Sequence, residues 1–134
     1  MAAAPFSARL DIVLNHGLVF AELTYTNVSD GPAFLLSYNA ALDDELEGDL
    51  FRITDERGKQ IPYVGMLAKR KPRPEDFRRL EPNQQLTSRV RLDDVYEFPA
   101  DGPHEFKVVL SAFQQHPELP DVWKLTSNEA QFRQ

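Results

Sequence analysis

The 134-residue chain has no cysteine, which excludes disulfides, thiolate zinc sites and a cysteine nucleophile. Glycine is scarce: six residues, none in a phosphate-cradling Gly-rich loop. No apolar run approaches the ~20 residues that cross a bilayer, so no membrane span is expected. The opening MAAAPFSARL lacks the basic n-region and long apolar core of a secretory leader. The three histidines, His16, His104 and His116, stand in turn or loop contexts. No two are spaced i, i+4 and there is no His-Glu-x-x-His, so they are read as surface residues and no metal ligand set is predicted. No serine lies in a Gly-x-Ser-x-Gly elbow. These absences leave no catalytic residue and no cofactor to nominate, and the chain is read as a non-enzyme.

What is present is an ordinary globular composition, 42% hydrophobic and 27% charged, in a length suited to one domain over residues 1–134. The dominant period is two. Leu10, Ile12 and Leu14 alternate with Arg9 and Asp11; Ala21, Leu23 and Tyr25 alternate with Glu22, Thr24 and Thr26. Phe51 and Ile53, then Leu86, Val90 and Leu92, then Phe106, Val108 and Leu110 repeat the pattern. Such alternation predicts strands with one wet face. Turn clusters separate the runs at Asn15-His16-Gly17, Ser29-Asp30-Gly31-Pro32, Glu56-Arg57-Gly58 and Asp101-Gly102-Pro103. TDERGKQIPYVG reads as a hairpin about Arg57-Gly58, LDDVYEF as one helical turn, and DVWKLTSNEAQFRQ as a final strand with Trp123 a core or edge residue. The expected fold is all-β, an antiparallel sandwich of about seven to eight strands with one short helical turn.

Charge is unevenly spread. Residues 69–79 carry six positive and two negative charges, +4, in a chain whose net charge is −6, so the remainder stands at −10. An acidic body argues against a nucleic-acid partner, which calls for a broad basic face. The acidic stretch with Asp43, Asp44, Glu45, Glu47 and Asp49 fits no EF-hand spacing and is read as a hydrated loop. The basic segment, GMLAKRKPRPEDFRRLEP from Gly65, reads either as a solvated loop or as a recognition arm. Pro72 and Pro74 fix their own φ and push Lys71 and Arg73 toward extended backbone, so such an arm would lose little entropy on docking.

Several stretches in order resemble a family. Thr26-Asn27-x-Ser29, Leu35-Leu36, Leu42-Asp43 and Asp49-x-Phe51-x-Ile53-Thr54-Asp55 are followed by Tyr63-x-Gly65-x-x-x-Lys69-Arg70, then Pro74-x-Asp76-Phe77 and Leu80-x-Pro82. This series resembles the amino-terminal domain that precedes the catalytic unit in bacterial secreted deuterolysin-like (aspzincin) metallopeptidases, including peptidyl-Lys endopeptidases. The likeness runs from about Leu10 to the closing LTSNEAQF. The chain departs from it at Asn39-Ala40-Ala41, at Asp44, and at Asn83, where glycine is usual. The peptidase's own metal motif is absent, so proteolysis is not carried over. The resemblance implies an immunoglobulin-like, prosegment-type domain, exported to the periplasm or secreted, that binds a metallopeptidase as inhibitor or chaperone-like partner. The expected partner-binding residues are Tyr63, Met66, Lys69, Arg70, Lys71, Pro72, Arg73 and Pro74, with Lys69 or Arg70 entering an acidic pocket. The alternatives are a generic adhesion or envelope-interaction module and a carbohydrate-binding module built on Trp123 and the acidic loop.

Overall fold

A computed structural model describes residues 2–43 and 46–134. Asp44 and Glu45, counted above in the acidic stretch, lie outside the described residues. Nine strands follow in order: β1 (Phe6–Asn15), β2 (Leu18–Asn27), β3 (Ala33–Leu36), β4 (Phe51–Thr54), β5 (Phe77–Leu80), β6 (Gln85–Arg91), β7 (Glu105–Gln115), β8 (Val122–Thr126) and β9 (Ala130–Arg133). Short 3-10 turns occupy Ser37–Asn39 and Pro74–Asp76. Pairing is antiparallel throughout the named strands: β1-β2-β6 form one sheet, β3-β5 a second, and β4-β7-β8 a third, with β9 also on β7.

The period-two faces meet in one core. Leu10, Leu23, Tyr25 and Val90 from the first sheet join Phe51, Ile53, Phe106, Val108 and Leu125 from the third, with Ile12 packed against them. The architecture is therefore the all-β, sandwich-like one that the alternation predicts. Leu14 is the exception in its run. It sits beside the turn that ends β1, is 46% exposed, and is not covered by the opposing layer. That turn, His16-Gly17, has positive φ at both residues (51° and 82°), the mirror-type geometry that suits the twist of a tight hairpin.

The tail is two strands rather than one. At Ser127-Asn128 the ladder along β7 is interrupted, Ser127 still bonding Leu110 through its N–H (3.0 Å), and the chain is spliced onto the first sheet. Asn128 accepts a hydrogen bond from Leu10 N–H (2.7 Å) and donates to Leu10 C=O (3.0 Å), and Ser127 bridges Ala8 in parallel. The amide of Asn128 thus ties the first layer to the second at an edge that would otherwise be open. Trp123 is buried at 7% exposure and stacks on Phe6 at 5.8 Å. LDDVYEF makes a single turn closed by Tyr96 N–H to Leu92 C=O (2.9 Å). The TDERG turn closes on a bridge between Thr54 and Gln60 and on Ile61 N–H to β4 Ile53 C=O (2.8 Å), a short hairpin about Arg57-Gly58. The returning chain leaves as the segment that carries the basic cluster.

Candidate functional site

Residues 62–73 run between β4 and β5 without regular structure, and a series of specific contacts pins them to the body. At the start, Glu97 N–H donates to Pro62 C=O (3.0 Å) and Val64 N–H to Val95 C=O (2.8 Å). The Tyr63 ring packs on Tyr96 at 5.2 Å, and its hydroxyl donates to Met66 C=O (2.5 Å). This fold-back needs Gly65. A Cβ there would lie 2.7 Å from the Tyr63 hydroxyl and 2.9 Å from Val95 Cγ1. Tyr96 is itself fixed, donating to Asp49 Oδ1 (2.7 Å) and accepting Phe51 N–H (3.0 Å). The sequence pairs Asp49-x-Phe51 and Tyr63-x-Gly65 are therefore two halves of one anchor.

Farther along, Ala68 N–H donates to Glu47 C=O (2.9 Å), and the Arg70 guanidinium is ion-paired with the Glu47 carboxylate. The same guanidinium stacks over the Tyr38 ring, 4.6 Å from its centroid. The Glu47 hydrogen bond raises the Arg70 pKa above the ordinary arginine value. Burial pushes the Tyr38 phenol up, helped by the Asp76 carboxylate, and its hydroxyl has no hydrogen-bond partner among the described residues. The arm ends at Arg73, extended at φ −119°, ψ 155°, whose N–H donates to Asp76 Oδ2 (3.0 Å) as Pro74 opens a 3-10 turn.

Between these pins the arm displays Val64, Met66 and Leu67, 57%, 49% and 70% exposed, followed by exposed Lys69 and Lys71. Among the described residues Lys69 and Lys71 make no ion pair, whereas Arg70 and Arg73 do. The eight residues nominated from sequence thus lie on one continuous segment but have different tasks. Tyr63, Arg70 and Arg73 hold the arm to its own domain; Met66, Lys69 and Lys71 point away from it. Arg70, expected to enter a partner's pocket, is occupied by Glu47 and Tyr38. The acidic stretch supplies that anchor through Glu47, a role its charge pattern did not show.

A second cluster escaped the sequence reading altogether. Asp55, Glu56 and His104 place a ligand atom each within 4.8 Å of one another. Linear spacing gives His104 no helical partner and places it in a surface turn. The fold instead brings it 48 residues back to the β4 turn, with Nδ1 2.9 Å from Glu56 Oε1 and Nε2 3.3 Å from Asp101 Oδ1. Hydrogen bonding to Glu56 and then Asp101 raises the His104 pKa. Only strand pairing decides this approach, so linear spacing could not reveal it.

Compared with protein-family models the chain matches none, and no curated protein matches it.

Proposed function

We propose that this protein is a non-enzymatic protein-binding domain whose 62–73 arm enters an acidic cleft of a partner protein, and that the partner is an exported deuterolysin-like metallopeptidase which it inhibits. One observation carries the reading. The arm is pinned to the body by contacts at both ends and in the middle, while an apolar pair, Met66-Leu67, and Lys69 stay exposed along it. A solvated loop has no need of such fixing, and a docking segment gains from it because less entropy is lost on binding. The motif series set out above supports the choice of partner.

In this reading Met66 and Leu67 cover an apolar rim and Lys69 enters a carboxylate-lined pocket as a substrate side chain would. Charge-assisted hydrogen bonds in a desolvated pocket are the strong kind. Arg70 stays on Glu47 and Tyr38 and keeps the backbone in place. Pro72 follows Lys71 and makes that bond a poor cleavage site. The carbohydrate alternative loses its platform, because Trp123 lies under Phe6 in the core.

The test is an inhibition constant against a Lys-specific aspzincin for wild type, Lys69→Ala, and a variant with Pro72 and Pro74 both changed to Gly. Lys69→Ala should weaken inhibition by ~2–5 kcal/mol if its charge is buried in the complex. The proline variant should weaken it less, through lost preorganisation. Absence of inhibition by wild type sinks the metallopeptidase reading. Equal inhibition by Lys69→Ala sinks the role of the arm and leaves a generic interaction module.

A further inference from the structure

We propose that Asp55, Glu56 and His104 form a binding site for a divalent first-row transition metal, with Zn²⁺ as the ion to test. The site stands apart from the arm, and the argument for it does not rest on the arm's function.

The donor set is one imidazole nitrogen and two carboxylate oxygens, drawn from two remote segments that the fold brings together. Mixed nitrogen and oxygen donors of this kind suit zinc and its neighbours better than calcium, which takes oxygen ligands. The geometry is close to what such an ion needs. Two ligands at ~2.0–2.1 Å from a tetrahedral zinc stand roughly 3.3 Å apart. His104 Nδ1 and Glu56 Oε1 are 2.9 Å apart, so the exposed Glu56 side chain needs to retreat by only a few tenths of an ångström. Asp55 is already oriented, its Oδ1 accepting the N–H groups of Arg57 and Lys59 at 2.9 Å each.

Two further features favour a cation over a simple hydrogen bond. His104 presents its other nitrogen to Asp101 Oδ1 at 3.3 Å, the carboxylate–histidine arrangement that fixes the tautomer and orientation of a metal-bound imidazole. Three carboxylates, Asp55, Glu56 and Asp101, also surround this one imidazole, so even its protonated form leaves the group negative. The cluster edges a surface hollow of about 680 Å³ lined by Asp55 and Glu56, open enough for water to complete the coordination. His104 is in turn paired through its backbone N–H and C=O to the C-terminal Gln134 (2.7 and 3.0 Å). An ion here would clip the β4 turn to the segment that follows β9.

The experiment is calorimetric titration of the whole protein with Zn²⁺, paired with thermal melts. Wild type should bind one equivalent and melt a few degrees higher with zinc in excess. Glu56→Gln, on an exposed side chain where folding is not at risk, should weaken binding by at least about tenfold, and Asp101→Asn, a positioning change, by about 10–100-fold with the ligands retained. His104→Ala should abolish binding, while a variant with His16 and His116 both changed to Ala should bind as wild type does. No saturable binding by wild type would overturn the site. So would binding that survives both Glu56→Gln and His104→Ala, or that is lost when only His16 and His116 are changed.

Discussion

Asn27 is fully buried at the end of β2 and spends its whole amide. Its Nδ2 donates to Gly31 C=O (3.0 Å) and Leu80 C=O (2.9 Å), and its Oδ1 accepts Ser29 N–H (2.9 Å) and Ser29 Oγ–H (2.7 Å). One side chain therefore closes the β2–β3 turn and fastens it to β5. In Asn27→Ala the bonds are not equal in cost. The Ser29 groups lie at a partly open turn and recover water, and the Ser29 hydroxyl, released from Asn27 Oδ1, turns its hydrogen to Gly31 C=O, 2.9 Å away. Leu80 C=O is buried and loses its amide donor, a loss of ~1–3 kcal/mol. Adding ~0.5–1 kcal/mol for the loosened turn gives a destabilisation of about 1.5–4 kcal/mol. With a urea slope of ~1.5–2 kcal/mol/M this lowers the denaturation midpoint by roughly 0.8–2.7 M. Asn27→Asp isolates the donor side. It keeps an acceptor for Ser29 but turns a carboxylate oxygen toward two carbonyls, and it should cost at least as much as Ala. A loss below ~0.5 kcal/mol in Asn27→Ala, at unchanged slope, would refute the reasoning.

Other outcomes follow from single groups. Tyr38→Phe removes a buried hydroxyl that has no partner among the described residues, so stability should hold or rise by up to ~1 kcal/mol; a loss above that in urea unfolding would show the hydroxyl is bonded. Gly65→Ala forces Tyr63 away from Met66, and overpacking of this kind costs ~1–3 kcal/mol; hydrogen exchange at Ala68 N–H should quicken, and an unchanged rate would mean the arm does not depend on the Tyr63 anchor. Asp93 accepts Val19 N–H (2.8 Å) and both an Nε and an Nη of Arg91. Burial pushes its carboxyl up, but these donors outweigh it and hold the pKa below the usual carboxylate range. A depressed folded pKa gives stability that is present above the unfolded value, ~3.9, and is lost as pH falls through the folded one. The stability difference between wild type and Asp93→Asn should therefore be flat from neutral pH to about pH 5 and shrink below it, and a difference independent of pH in acid would contradict this.

The strands were legible because one wet face writes a period of two into the chain, and Leu10, Leu23, Phe51 and Phe106 fall on the inner face as that period requires. Turn chemistry was legible for the same local reason. Asn83, standing where glycine is usual in the resembled series, holds φ at 66°, a conformation asparagine tolerates. The motif residues have physical tasks that one sequence alone did not reveal: Asn27 closes a turn, Asp49 orients Tyr96, and Gly65 gives room to Tyr63. The split of the tail into β8 and β9 was not legible, because it depends on Asn128 finding Leu10 across 118 residues. Nor was the partition of the arm. Charge counting put Arg70 beside Lys69, and only the approach of Glu47 and Tyr38 separates an anchored cation from a displayed one. The Asp55, Glu56 and His104 cluster was invisible for the same reason: its members meet through the pairing of β4 with β7.

If a partner reads residues 62–73, docking must bury the amides of that segment. Hydrogen exchange of the protein, free and in the presence of a Lys-specific aspzincin, tests it most directly. Exposed amides such as Leu67, Lys69 and Lys71 exchange fast when free, and burial in a cleft slows them. Docking through the arm gives protection concentrated from Met66 to Lys71, with the amides of β2 and β7 unchanged. A complex that protects another face while the arm keeps its free rates, or the absence of any complex, would contradict it.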